Sequence, residues 1–144
     1  MTDRPPRVYI AGPMNSVGGN FNFPLFDFVA RRLRDCGCEV CNPADQARRS
    51  LGSLEEIQKL SKQVMKIARK SLIKHEINWI MDNADYVLML PGWERSTGAT
   101  AERALALALD IPVMIVPNTI MYGSGMVNIV DIFETQRNSV AVKD

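Results

Sequence analysis

The sequence predicts an α/β fold: a parallel sheet of four to five strands with helices on both faces, formed as a single domain over residues 1–144. Three observations carry this. Short uninterrupted apolar runs recur along the chain, as in strands buried on both faces. Between them lie longer stretches whose apolar residues return every three or four positions, the period of a helix lying on a sheet. The junctions are short and rich in Gly, Pro and Asn, and strands alternating with helices through short loops mean a parallel sheet.

Arg7 to Ala11 is the first strand, stopped by Gly12-Pro13. The loop from Gly12 to Asn22 carries Gly18, Gly19, Asn15, Ser16 and Asn20, so its backbone N–H groups can approach a ligand closely. It matches neither G-x-G-x-x-G nor G-x-x-x-x-G-K-[ST], so a dinucleotide or triphosphate cradle is not supported. Phe23 to Arg34 reads as a helix with Pro24 in its first turn, ended by Gly37. Glu39-Val40-Cys41 is the core of the second strand, and Asn42-Pro43-Ala44-Asp45-Gln46 reads as the loop at its carboxyl end. That puts Asp45 and Gln46 at the same sheet edge as Gly12 and Ser96.

Arg48 to Leu54 reads as polar and irregular, and Ser53 with Glu56 forms an S-x-x-E helix start. Leu54 to about Asn83 is then one long helix or two in succession. Its Lys59, Lys62, Lys66, Arg69, Lys70 and Lys74 read as a solvated face. His75, Glu76, Asn78 and Asp82 are its polar site candidates, with the lone His75 read as a half-exposed helix residue.

The chain is organised around Asp85 to Pro112. Tyr86-Val87-Leu88-Met89-Leu90 is a buried strand, Pro91 to Gly98 a breaker-rich loop, and the Ala-rich segment from Ala99 a helix. Glu102 then falls in the first turn of that helix, near the carboxyl edge where open α/β sheets bind ligands. The helix N-terminus also suits an anionic group near Ser96, Thr97 and Gly98. Taken alone, Glu102 has two readings: an acid complementing the helix dipole, or a carboxylate placed for chemistry. Ile111 to Val116 is a fourth strand, Val127 to Phe133 a closing helix and Gln136 to Asp144 a tail, completing a Rossmann-like (flavodoxin-like) arrangement.

With 17 Lys+Arg against 16 Asp+Glu, the net charge of +1 gives no general pull towards a nucleic-acid polymer or an anionic membrane. No apolar run approaches bilayer length and the N-terminus lacks a signal peptide's apolar region, so a cytoplasmic protein is expected. Cys36, Cys38 and Cys41 are odd in number, with no fourth Cys nearby and the only histidine remote; no disulfide, metal or cofactor is expected. They read as small residues at a helix end and in a buried strand.

Four motifs stand in order at one sheet edge: Tyr9-Ile10-Ala11-Gly12-Pro13-Met14, Asn42-Pro43-Ala44-Asp45-Gln46, the polar helix ending at Ala84-Asp85, and Ser96-Thr97-Gly98-Ala99-Thr100-Ala101-Glu102. This arrangement resembles the nucleoside 2-deoxyribosyltransferase-like superfamily, which includes deoxyribosyltransferases, 2′-deoxynucleoside 5′-phosphate N-hydrolases and CMP N-glycosidases. The nearest likeness is to a phage-rich branch sharing A-G-P-M, N-F-P-x-F, N-P-A and L-P-G-W-x-x-S-x-G-A-x-x-E, and it runs from about Val8 to Val116.

The resemblance implies that Glu102 is the nucleophile attacking the anomeric carbon of the sugar, in two-step retaining catalysis. It implies that Tyr9 positions that carboxylate, that Gly12, Pro13, Met14 and Asn15 wrap the sugar and its 5′ substituent, and that Gln46, beside Asp45, holds the base. Trp93 and Met14 are candidates to flank the base. At Ser96 the monophosphate hydrolases have serine, whereas transferases acting on free nucleosides tend to have an acid or its amide. With Thr97 and Gly98 at a helix N-terminus, this favours a phosphate.

Relatives place an aspartate where this chain has Ile77, which makes the adjacent Glu76 the candidate acid/base and Asp82 the next. They also usually carry an arginine in the first loop, where this chain has Met14-Asn15-Ser16, leaving Arg95 as a substitute. The implied function is hydrolysis of the N-glycosidic bond of a (deoxy)nucleoside 5′-monophosphate in nucleotide metabolism, including that of a phage-infected cell. The alternatives are base exchange by deoxyribosyl transfer and a non-catalytic nucleotide-binding or sensing protein. A homodimer or higher homo-oligomer is implied too, with Asn118 to Asn128 as the segment lent to the neighbour.

Overall fold

The computed structural model describes residues 4–14 and 19–116. Four strands, β1 (Arg7–Ala11), β2 (Glu39–Cys41), β3 (Tyr86–Met89) and β4 (Val113–Ile115), form an all-parallel sheet in the order β2-β1-β3-β4. Among the described residues five α-helices and a short 3-10 helix (Trp93–Arg95) accompany it: α1 (Phe23–Asp35), α2 (Pro43–Leu51), α3 (Leu54–Gln58), α4 (Lys62–Asn83) and α5 (Thr97–Ala108). This is the Rossmann-like, flavodoxin-like arrangement, whose strand order reverses direction between β1 and β3.

Period-two alternation along the strands, most fully buried in β1 and β3, builds two cores. Val8, Ile10, Leu88, Leu90 and Met114 face Phe23, Phe26, Val29, Ala30 and Leu33 of α1, together with Ala47 of α2 and Ile57 of α3. Tyr9, Ala11, Val87 and Met89 face Ile80 of α4 and Ala99 and Ala106 of α5. Tyr9 is paired with Val87 and Ala11 with Met89, so β1 and β3 end side by side. The Val87 N–H also bonds to the Pro112 carbonyl at 3.0 Å and the Val116 N–H to the Met89 carbonyl at 2.9 Å, so pairing of the last strand runs on past both of its ends.

The segment after β2 departs from expectation. Asn42-Pro43-Ala44-Asp45-Gln46 is not a loop, and Arg48 to Leu51 is not irregular: both belong to α2. Asn42 is the N-cap, its side chain accepting from the Ala44 N–H, and Pro43 occupies the first turn, where its missing N–H costs nothing. The expected S-x-x-E box is present at Ser53 and Glu56, and it opens a helix of five residues. The following long stretch is therefore two helices, α3 and α4, the second capped by Ser61.

Gly12 follows β1 alongside Leu90, the residue after β3. A Cβ there would stand 2.8 Å from Cβ of Leu90, which has no freedom to move aside. Gly12→Ala is expected to cost about 1–3 kcal/mol by overpacking, read as a lowered midpoint in thermal or urea unfolding. An unchanged midpoint would show that the two strand ends are not tightly apposed. The expected closing helix, the tail, the Asn118 to Asn128 segment and Asn15 lie outside the described residues.

Candidate active site

A cavity of about 690 Å³ opens at the carboxyl edge of the sheet, at the β1/β3 reversal where such folds bind ligands. Tyr9, Gly12, Met14, Glu76, Ser96, Gly98 and Glu102 all line it. Glu102 is in the second turn of α5 rather than the first, because the helix starts at Thr97. It is thus too far along for a simple dipole role, which falls off within the first turn.

The fully buried Tyr9 stands in the middle of β1 and its hydroxyl donates to Oε2 of Glu102. Glu76 reaches the same point from α4 and acts on both groups. Burial, and then the like charge of Glu76, push the Glu102 carboxyl well above the usual carboxylate range, against the opposing Tyr9 hydrogen bond. Burial also raises Glu76, with hydrogen bonding to Glu102 and Tyr9 and the positive charge of Arg69 working the other way. Two adjacent carboxyls in one desolvated site titrate as a unit and hold a proton between them beyond the pH at which isolated acids lose theirs. Burial followed by the charge of Glu102 raises the Tyr9 hydroxyl, keeping it a donor. Beneath them, burial and the acids push the Cys41 thiol up to about 12, so it stays protonated and is no nucleophile at neutral pH.

Ser96 is the N-cap of α5, its Oγ accepting from the Ala99 N–H at 3.1 Å. That leaves its hydroxyl proton available to a ligand. A Cβ built at Gly98 would stand 3.9 Å from the guanidinium of Arg69 and 4.0 Å from Ser96 Oγ, so cation, hydroxyl and helix N-terminus converge. Arg69, Lys66 and Lys62 line the cavity and do not belong to a solvated face alone. Their signal was present in the spacing: 62, 66, 69, 73, 76 and 77 form one helical stripe. It escapes an amphipathicity reading because it mixes cations with Ile73 and Ile77, since it borders a cavity and not a core. Ile80 is the buried residue of this helix.

Several expected residues turn elsewhere. Asp45 accepts hydrogen bonds from Arg34 at 3.0 Å and Arg48 at 2.8 Å, which outweigh its burial and hold its carboxyl below the usual range. Gln46 donates to Ser50 Oγ at 3.3 Å. Both point off the cavity because α2 presents Pro43, Ala47 and Leu51 to it, leaving the intervening residues on the outer side. Trp93 packs on the second core under the Arg103 guanidinium, 5.0 Å from its ring centroid, so it plugs that core and does not flank a ligand. The Pro13 carbonyl accepts from Asn22 Nδ2 at 2.9 Å, fixing the loop from outside the cavity. Arg95, His75, Asn78 and Asp82 are exposed and off the cavity wall.

Among the described residues no helix is long and apolar enough to cross a membrane. No curated protein and no solved structure matches the chain. One family model does, that of a domain of unknown function, DUF4406, over residues 6–115.

Proposed function

For this chain, which belongs to the DUF4406 family, we propose hydrolysis of the N-glycosidic bond of a (deoxy)nucleoside 5′-monophosphate. One observation carries the reading: the Glu76–Glu102 pair with its tyrosine and the Arg69–Ser96–Gly98 cluster line the same cavity. The sequence resemblance to the nucleoside 2-deoxyribosyltransferase-like superfamily supports it from the other side.

In this mechanism the pair carries one proton, which lies towards the more strongly raised Glu102 in the free site and passes to Glu76 as positive charge develops on the sugar, leaving Glu102 ionised and held by the Tyr9 hydroxyl. The Glu102 carboxylate stabilises the oxocarbenium-like state and bonds to C1′ as the C–N bond breaks. The bonding electrons leave with the base, which takes the proton from Glu76. Water then attacks C1′ of the glycosyl ester, giving a proton to the Glu76 carboxylate and releasing Glu102. Arg69, the Ser96 hydroxyl and the first N–H groups of α5 hold the phosphate, so Arg69 takes the part that the resemblance assigns to a first-loop arginine.

The test is a panel of nucleosides and 5′-monophosphates followed by chromatography for free base. Monophosphates are expected to be cleaved and nucleosides poorly. Arg69→Ala is expected to lower kcat/KM for the monophosphate by about 10²-fold, the worth of a hydrogen-bonded charge, with nucleoside cleavage nearly unchanged. Ser96→Asp acts in the same direction by repulsion. Equal losses on both substrates would remove the phosphate from this end of the cavity, and exchange of base on adding a second one would reassign the chain to transfer.

A further inference from the structure

Among the described residues the cavity wall carries three cations, Lys62, Lys66 and Arg69, against two acids, Glu76 and Glu102, which sit together and hold a proton between them. The chain as a whole is nearly neutral, so this is a local concentration of positive charge. The three cations follow one another on one face of α4, at spacings of four and three. Arg69 stands seven positions before Glu76, and Lys66 and Lys62 lie about 4.5 Å and about 10 Å beyond Arg69 at the usual rise per residue. Arg69 is the one that meets the N-terminus of α5, its guanidinium 3.9 Å from where a Cβ on Gly98 would stand. Lys66 and Lys62 therefore continue the positive wall past Arg69, away from the catalytic pair.

This row works against the helix that carries it. Lys62 is the first residue of α4, where the positive end of the helix dipole lies, and no acid stands in that first turn. Lys66 follows four positions on, and like charges at that spacing repel across a helix surface. Among the described residues Lys62, Lys66 and Arg69 form no ion pair; the cations that do are Arg4, Arg7, Arg34 and Arg48. An anionic group lying along the wall relieves both repulsions at once.

We propose that this wall holds the outer phosphates of a nucleoside 5′-di- or triphosphate: Arg69, Ser96 and the first N–H groups of α5 take the phosphate next to the sugar, Lys66 the second and Lys62 the third. The assignment rests on the glycosidase reading only in taking a nucleotide as the occupant, and it extends the substrate class from monophosphates to polyphosphates. Base release from such a substrate leaves the phosphate chain intact on the sugar.

The test is a matched series, the 5′-mono-, di- and triphosphates of the common 2′-deoxynucleosides in metal-free buffer, bound to Glu102→Gln protein by calorimetry and incubated with the native protein for base release. For the base that binds best, the triphosphate is expected to bind at least about tenfold tighter than the monophosphate, the worth of two charged contacts at a partly exposed rim. Lys62→Ala combined with Lys66→Ala should bring that ratio close to one. Lys70→Ala combined with Lys74→Ala, the same loss of charge on the same helix but off the cavity wall, should leave it unchanged. All four lysines are exposed, so both double variants keep the fold. A ratio near one before any lysine is replaced, or an equal fall in both double variants, overturns the inference, and if monophosphates are still cleaved the hydrolase reading stands without it. A graded series with no base release from native protein keeps the phosphate wall and removes the hydrolase. No binding by any member overturns both.

Discussion

Glu102→Gln is expected to cut release of free base by at least about 10³-fold and, at neutral pH, to raise the melting temperature. The loss follows because an amide neither stabilises the oxocarbenium-like state by charge nor forms the glycosyl ester, while its oxygen still accepts from Tyr9 and the cavity keeps its shape. The gain in stability follows from the pKa direction. Glu102 is raised well above its ordinary value by burial and by Glu76, so the folded protein binds the proton more tightly than the unfolded chain does. That contribution is full below the unfolded carboxyl pKa and is lost as pH rises through the pair's raised folded pKa. Native protein at pH 7 therefore carries the cost of charge in a desolvated site, which glutamine removes. Each kcal/mol relieved is worth about 2–4 °C in a chain near this size. Calorimetry at pH 7 and at pH 4 should show the variant more stable at the first and equal at the second. A variant that still releases base, or that melts lower at pH 7, would mean that Glu102 is not a strained nucleophile.

Glu76→Gln is expected to lower kcat by about 10²–10⁴-fold, the usual worth of a positioned general acid. It is also expected to reshape the pH profile. Loss of the proton on Glu76 ends activity on the alkaline side, so that limb disappears from what little activity remains. On the acid side the pair goes from one proton to two, and the carboxylate that titrates there faces a neutral partner, so glutamine in place of Glu76 leaves the acid limb nearly where it is. A kcat/KM profile across the carboxylate-to-neutral range measures both. A profile of unchanged shape, whatever its height, would assign Glu76 to packing instead of proton transfer. Arg69→Ala should move Glu76 the other way, raising it, since Arg69 is the positive charge that lowers it.

How much of this was legible in the residues differs from element to element. β1, α1, β2 and β3 stand where apolar runs and breakers put them, and the Ser53–Glu56 box marks the start of α3. Those signals are local: a run of buried side chains, a capping pair, a residue that forbids the next turn. The beginning of α2 is not legible locally because Asn-Pro marks a turn and a helix start alike, and only the burial of Ala44 and Ala47 against α1 separates the two. Glu76 and Arg69 are both charges on a helix, and local spacing separates neither from the solvated lysines beside them.

By itself, then, the order of residues determined a parallel sheet, its carboxyl edge, and the delivery of Tyr9, Ser96 and Glu102 to that edge, because each depends on periodicity and on breakers within a few positions. Tertiary structure alone decided that α4 lays its 62–77 stripe along a cavity, that Glu76 meets Glu102 while Asp45 and Gln46 turn to Arg34, Arg48 and Ser50, and that Trp93 closes a core. Which face of a helix meets a site depends on where its axis packs, and which partner a polar side chain finds depends on neighbours distant in the chain. Neither is written in local spacing.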